Sequence, residues 1–264
     1  MIGPRRIVCL TEEPTEVLYA LGAEDRIVGI SGFTVRPPRA RKEKPKVSAF
    51  TSAKIDEIMK LQPELAIGFS DIQADIAAEL VRRGVEVWIS NHRSVAGILD
   101  YIRRLGALVG MAAQANAYAD GLRRDLDAIA EQSAKLPRRP RVYFEEWDEP
   151  PISGIRWVSE LVAIAGGDDI FPERAIEPLA KQRILEDPLE VARRAPDIIL
   201  GSWCGKRFRP EKVAQRQGWQ DIPAVRDGEL HEVKSPRILQ PGPAALTDGV
   251  ADIAAIIRRW AVRI

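Results

Sequence analysis

The run Lys54-Ile55-Asp56-Glu57-Ile58-Met59-Lys60-Leu61-Gln62-Pro63-Glu64-Leu65-Ala66-Ile67 reads as a helix stopped by a proline and followed at once by a buried strand. The same sentence returns as Asp187-Pro188-Leu189-Glu190-Val191-Ala192-Arg193-Arg194-Ala195-Pro196-Asp197-Ile198-Ile199-Leu200. A second pair keeps the same order. Glu16-Val17-Leu18-Tyr19-Ala20-Leu21-Gly22-Ala23-Glu24-Asp25 is echoed by Glu160-Leu161-Val162-Ala163-Ile164-Ala165-Gly166-Gly167-Asp168-Asp169. The distance between copies differs for the two pairs, so the loops vary while the order is kept. These echoes predict two α/β lobes built on one plan.

Working outward, short apolar runs alternate with helical stripes through the first third. Strands are expected at Arg6–Leu10, Arg26–Ile30, Lys46–Ser48, Leu65–Phe69 and Val85–Ser90. Helices are expected at Pro14–Leu21, Ile55–Leu61 and Ile72–Arg83, while Phe33–Pro45 is too proline-rich for one. Such alternation implies a parallel sheet with right-handed crossovers. From Val95 to about Lys135 there is no strand signal and no proline, and the spacing predicts a helix to Gly110 and a long one to about Leu136. Alternation then resumes with a strand at Val142–Phe144, a helix at Trp157–Ala165, a strand at Asp197–Leu200, helices at Pro188–Arg194 and Pro210–Gln217, and a closing helix at Ala244–Trp260. Asp227-Gly228 inside Ala224–Val233 is a hairpin signal. The expected organisation is an N-terminal α/β lobe over 1–94, a helical segment with a long connecting helix over 95–137, and a C-terminal α/β lobe over 138–264. The fold class is α/β, with two Rossmann-like lobes of mainly parallel sheet joined by a long rigid helix. Ligands of open α/β sheets sit at the carboxyl ends of the strands, so a ligand cleft is expected between the lobes.

Composition narrows the function. Among 264 residues, 39 Lys and Arg nearly cancel 38 Asp and Glu, leaving a net charge of +1. That balance offers no basic field for nucleic acid. No apolar run reaches the roughly 18 residues that a membrane-spanning helix needs. Met1-Ile2-Gly3-Pro4-Arg5-Arg6 runs straight into a strand, with no room for a signal peptide. The expected compartment is therefore the cytoplasm as written, or another if a leader has been removed. The two cysteines, Cys9 and Cys204, are too few for a disulfide framework and are expected reduced and buried. There is no Gly-x-Ser-x-Gly elbow, no P-loop and no Gly-x-Gly-x-x-Gly after the first strand, so neither nucleophilic catalysis nor nucleotide binding is supported.

The ordered set of Arg6–Thr11 with Glu16, Asp25–Ser31, Pro37-Pro38, Lys46–Ser48, Ile55–Pro63, Ala165-Gly166-Gly167 and Ala195–Ile199 resembles the periplasmic substrate-binding family whose lobes are joined by a backbone helix (class III). That family serves importers of cobalamin, haem and iron–siderophores, and this chain looks most like its cobalamin-binding branch. The resemblance covers roughly residues 6–262. It implies a non-catalytic protein that captures a small-molecule ligand, requires no cofactor, works as a monomer and delivers its cargo to an ABC permease. The expected ligand is cobalamin or another corrinoid. An iron–siderophore or haem is the alternative within the family, and a cytoplasmic enzyme or metal-cofactor handling protein is the alternative outside it. Family members usually carry a leader and one permease-facing acid on each lobe. Here Asp71, Asp75 and Glu79, and Glu186, Asp187 and Glu190, are near those places, and none aligns cleanly.

Candidate ligand-binding residues follow the strand ends. Phe33 and Phe50 come just after the second and third strands, where cobalamin binders of the family place aromatic groups. Aromatic faces suit a flat macrocycle. Glu145-Glu146-Trp147-Asp148 follows an apolar strand, and Glu145, Glu146 and Trp147 are taken as ligand-facing. Trp203 and Cys204 follow the strongest strand of the second lobe. Of Arg183, Arg207, Arg209 and Arg237, the last matches a family segment near the cleft. No metal site is expected. His92 and Cys204 are the weakest candidates for one, with His231 behind them.

Overall fold

The computed structural model describes residues 3–263. These fall into two compact units. The first runs through His92 and takes in Ala96–Leu122, and the second takes Arg93–Val95 and everything from Arg123 onward. The helices Val95–Leu108 and Ala112–Ser133 occupy the proline-free segment, and the chain passes from one unit to the other within the second of them.

The first unit holds a five-stranded sheet. Its strands are β1 (Ile7–Cys9), β2 (Ile27–Ser31), β3 (Lys46–Ser48), β4 (Leu65–Phe69) and β5 (Glu86–Ser90). They lie in the order β3-β2-β1-β4-β5, all parallel. β1 and β4 are buried along their whole length, as central strands of a parallel sheet are, and so read as unbroken apolar runs. Val8, Leu10, Val47, Ile58, Ala66, Ile76, Leu80 and Val85 form the core beneath one face. One departure is small: the segment expected to hold no helix contains a single turn, Ala40–Glu43.

The second unit holds β6 (Arg141–Asp148), β7 (Pro151–Ser153), β8 (Asp168–Asp169), β9 (Ile198–Gly201) and β10 (Leu230–Glu232). β6 lies beside β9 and β8 in parallel over its first half, and doubles back antiparallel onto β7 over its second. Tyr143, Phe171, Ile199, Trp203, Phe208 and Trp219 belong to one hydrophobic cluster of its core.

Three expectations are corrected here. The strand foreseen at Val142–Phe144 continues to Asp148, so Glu145-Glu146-Trp147-Asp148 is strand and not a loop beyond it. The hairpin foreseen over Ala224–Val233 is a helical turn, Pro223–Arg226, followed by β10 running parallel to β9. Gly228 takes φ 71 to end that turn, just as Gly84 takes φ 83 before β5. An Asp-Gly pair supplies positive φ to a helix end as readily as to a hairpin. Cys204 is exposed, while Cys9 is buried as expected.

Candidate functional site

Three apolar side chains stand at the carboxyl edge of the first sheet. Phe33, two residues beyond β2, is 55% exposed, and its backbone N–H donates to Ser31 Oγ at 3.1 Å. Phe50, two residues beyond β3, is half-buried at the tip of a tight loop closed by Ala49 N–H to Ser52 O at 2.7 Å. Ile72, beyond β4, is exposed as well. Beneath this edge, two carboxylates open the helix Glu12–Ala20, and both are buried. Thr11 Oγ1 donates to Glu13 Oε1 at 2.7 Å, and Ser31 Oγ donates to Glu12 Oε1 at 3.3 Å. The other oxygen of each carboxylate has no hydrogen-bond partner. Burial first, and then the charge of Glu12, pushes Glu13 up to about 8. Burial raises Glu12 as well. Glu13 is therefore held largely as the neutral acid at pH 7. Sequence reasoning missed this pair because acids in a first turn look like ordinary partners of the helix dipole.

The edge of the second sheet is polar and internally neutralised. Glu145 is fully buried. It accepts from Arg216 Nη1 and Nη2 at 2.6 and 2.9 Å, from Trp203 Nε1 at 3.0 Å and from the Tyr143 hydroxyl at 3.0 Å. Trp203 is 2% exposed and packs edge-on against Phe208. The structure thus joins Glu145 and Trp203 to each other inside the lobe and presents neither at the surface. On a strand, residues two apart share a face, so Glu145 follows buried Tyr143 inward. Arg216, which completes this network, was not among the arginines singled out from the sequence. Glu146 is half-buried and bound by both terminal nitrogens of the buried Arg183, at 2.6 and 3.2 Å. Trp147 is half-buried, and its ring lies 4.0 Å from Lys206 Nζ, which also pairs with the buried Asp148. Beyond β9, Cys204, Lys206, Arg207 and Arg209 are exposed.

A family described as periplasmic binding protein matches residues 7–236. The chain belongs to that family. Among its relatives is the vitamin B12-binding protein of Vibrio parahaemolyticus, 26% identical over 246 residues, covering 91% of this chain and 85% of the relative. An uncharacterised ABC transporter substrate-binding lipoprotein of Bacillus subtilis is 22% identical and covers 96% of this chain and 80% of its own. Among solved structures, a periplasmic haem-binding protein from Roseiflexus sp. RS-1 superposes with a TM-score of 0.82 at 22% identity, covering 98% of this chain and all of that one. That likeness concerns the fold.

The remaining candidates of this periplasmic binding protein are placed as follows. Arg237 is paired with two acids, at 2.7 Å from Asp252 and 3.4 Å from Asp248. His92 is buried and stacked on Tyr101, with ring centroids 4.5 Å apart. His231 Nε2 lies 2.8 Å from Glu229. Among the described residues, no three side chains of His, Cys, Asp or Glu come together in a way that could hold a metal ion. Of the acids noted near the permease-facing places, Asp75 and Glu186 are exposed, while Asp187 is bound by Arg193 at 2.7 Å and Glu190 by Arg194 at 2.5 Å. No helix among the described residues is long and apolar enough to cross a membrane.

Proposed function

We propose that this chain captures a corrinoid or closely related tetrapyrrole, carries out no chemistry on it and passes it to a membrane permease. The observation that carries the reading is the aromatic pair at the carboxyl edge of the first sheet, the exposed Phe33 with the half-buried Phe50. A flat macrocycle lying on such groups takes the part of each ring that is still exposed out of water. Trp147 offers a further aromatic side chain on the second lobe. Relatives that bind vitamin B12 or carry the description of an ABC transporter substrate-binding lipoprotein support both the cargo and the partner. Glu146 and Arg237 already hold opposite charges, so they suit hydrogen bonding to ligand amides better than capture of a free ion.

A second reading, haem or a ferric siderophore, is favoured by the exposed Arg207 and Arg209 beyond β9. Guanidinium groups match carboxylates bidentately. Calorimetric titration with cobalamin, cobinamide, haem and ferric hydroxamates separates the two. Micromolar or tighter binding, about −8 kcal/mol or better, is expected for a corrinoid, with little dependence on salt. Salt-sensitive binding of haem or a ferric chelate alone would select the second reading. Turnover abolished by Cys204→Ala would instead point to an enzyme.

A further inference from the structure

Gln73 lies just past the carboxyl end of β4 and is completely buried. Its amide is fully used. Oε1 accepts from the backbone N–H of Phe69 at 3.1 Å, and Nε2 donates to Leu10 O at 3.3 Å and to Phe50 O at 3.2 Å. Those three groups belong to the end of β4, the residue after β1 and the tip of the loop after β3. One side chain therefore staples three separate strand ends.

The neighbouring residues are built around that amide. A Cβ on Gly68 would stand 2.3 Å from Gln73 Oε1, so the glycine leaves the room into which the amide reaches. Ser70 takes φ 63 and ψ 175, a combination otherwise reserved for glycine. Its Oγ accepts from the Ile72 N–H at 3.4 Å, and its own N–H donates to Ser90 O at 2.8 Å. This strained turn sends the chain back so that Gln73 reaches inward instead of into water. Strain of this kind persists only where the surroundings hold it in place.

We propose that Gln73 is a positioning residue for ligand capture: by holding the Phe50 carbonyl it fixes the loop tip and presents the Phe50 ring already ordered. This rests on the reading above, in which Phe50 meets the ligand. An aromatic group ordered in advance spares the ligand the cost of immobilising it. Gln73 itself touches no ligand.

Hydrogen exchange on the full chain tests the staple without any ligand. Gln73→Leu is expected to speed exchange across residues 49–54 by about tenfold or more, while the helix Val95–Leu108 keeps its wild-type rate. Gly68→Ala reaches the same end by displacing the amide and serves if Gln73→Leu does not fold. Unchanged exchange at 49–54 in a folded variant overturns the proposal. A second arm titrates cyanocobalamin into wild type, Gln73→Leu, Phe50→Ala and the double variant. Each single change is expected to weaken binding about tenfold, and the double no further than the weaker single, as for residues acting through one another. Losses that multiply in the double variant overturn the proposal. Failure of wild type to bind any corrinoid or haem defeats the binding reading and with it the role in capture, while the exchange arm still decides whether Gln73 orders the Phe50 loop.

Discussion

The two lobes repeat each other at the level of single backbone groups. In the first, the helix Ile55–Lys60 gives way to Gln62 at φ 46 before Pro63, and in the second, Leu189–Arg194 gives way to Ala195 at φ 44 before Pro196. An arginine at the head of the first strand of each lobe reaches the carbonyl at the end of that helix: Arg6 Nε to Leu61 O at 2.9 Å, Arg141 Nη1 to Arg194 O at 3.4 Å. The residue after the proline then donates its N–H to the same arginine's carbonyl, Glu64 to Arg6 and Asp197 to Arg141, each at 2.8 Å. A helix end leaves carbonyls without partners, and both lobes solve that problem in the same way.

At their carboxyl edges the lobes part. Gly68 and Gly201 hold equivalent places near the ends of β4 and β9, and each gives room to a side chain from the following segment. Gly68 admits the amide of Gln73, while Gly201 admits the ring of Phe208, which a Cβ would overlap. The acids differ too. Glu12 and Glu13 are buried without a cation, while Glu145 is buried against Arg216. The common frame closes the sheet, and the variable filler decides what each edge presents.

Breaking the Glu145 network should have the largest effect. Arg216→Ala leaves a buried carboxylate unpaired and is expected to cost about 3–5 kcal/mol in denaturant unfolding. The gain in amide exchange should be confined to the second lobe. The contrasting acid pair should respond in the opposite direction. Glu13 has a folded pKa near 8 against an ordinary value of 4.5, so the folded state holds the extra proton between those values. Stability then falls as pH rises from about 4.5 to about 8 and stays low above that. Glu13→Gln should remove this loss, stabilising the first lobe by roughly 2–4 kcal/mol at pH 9 and by far less at pH 4.5. Thermal unfolding at both pH values measures the difference. The smallest effect tests the shared frame. Gln62→Gly and Ala195→Gly should each stabilise by about 0.5–1 kcal/mol, and by similar amounts if the two helix ends are true counterparts.

Much of the frame was legible because it is local. Strand, helix, stop and proline all lie within fourteen residues of one another in each copy, and periodicity reports them. The misreadings arose where one signal serves two structures. Asp227-Gly228 fits a hairpin and a helix end alike, and only the pairing of β10 with β9 decides. The site was less legible. Phe33 and Phe50 do lie at the carboxyl edge, since their place follows from the strand count alone. The strand ends suggest outward-facing places for Glu145 and Trp203, yet each is buried against the other from 58 residues away.

From the sequence alone came two α/β repeats, their strand order in the chain, the helical segment between them and the family they belong to. Tertiary structure decided which polar groups sit inside and which aromatic groups stay out. Gln73 meets its partner Leu10 across 63 residues and Glu145 meets Arg216 across 71. Helical and strand periodicity reports only which face of an element is apolar. Whether a buried amide or carboxylate is tolerable depends on the partner that the fold brings to it, and that partner leaves no mark in the neighbouring residues.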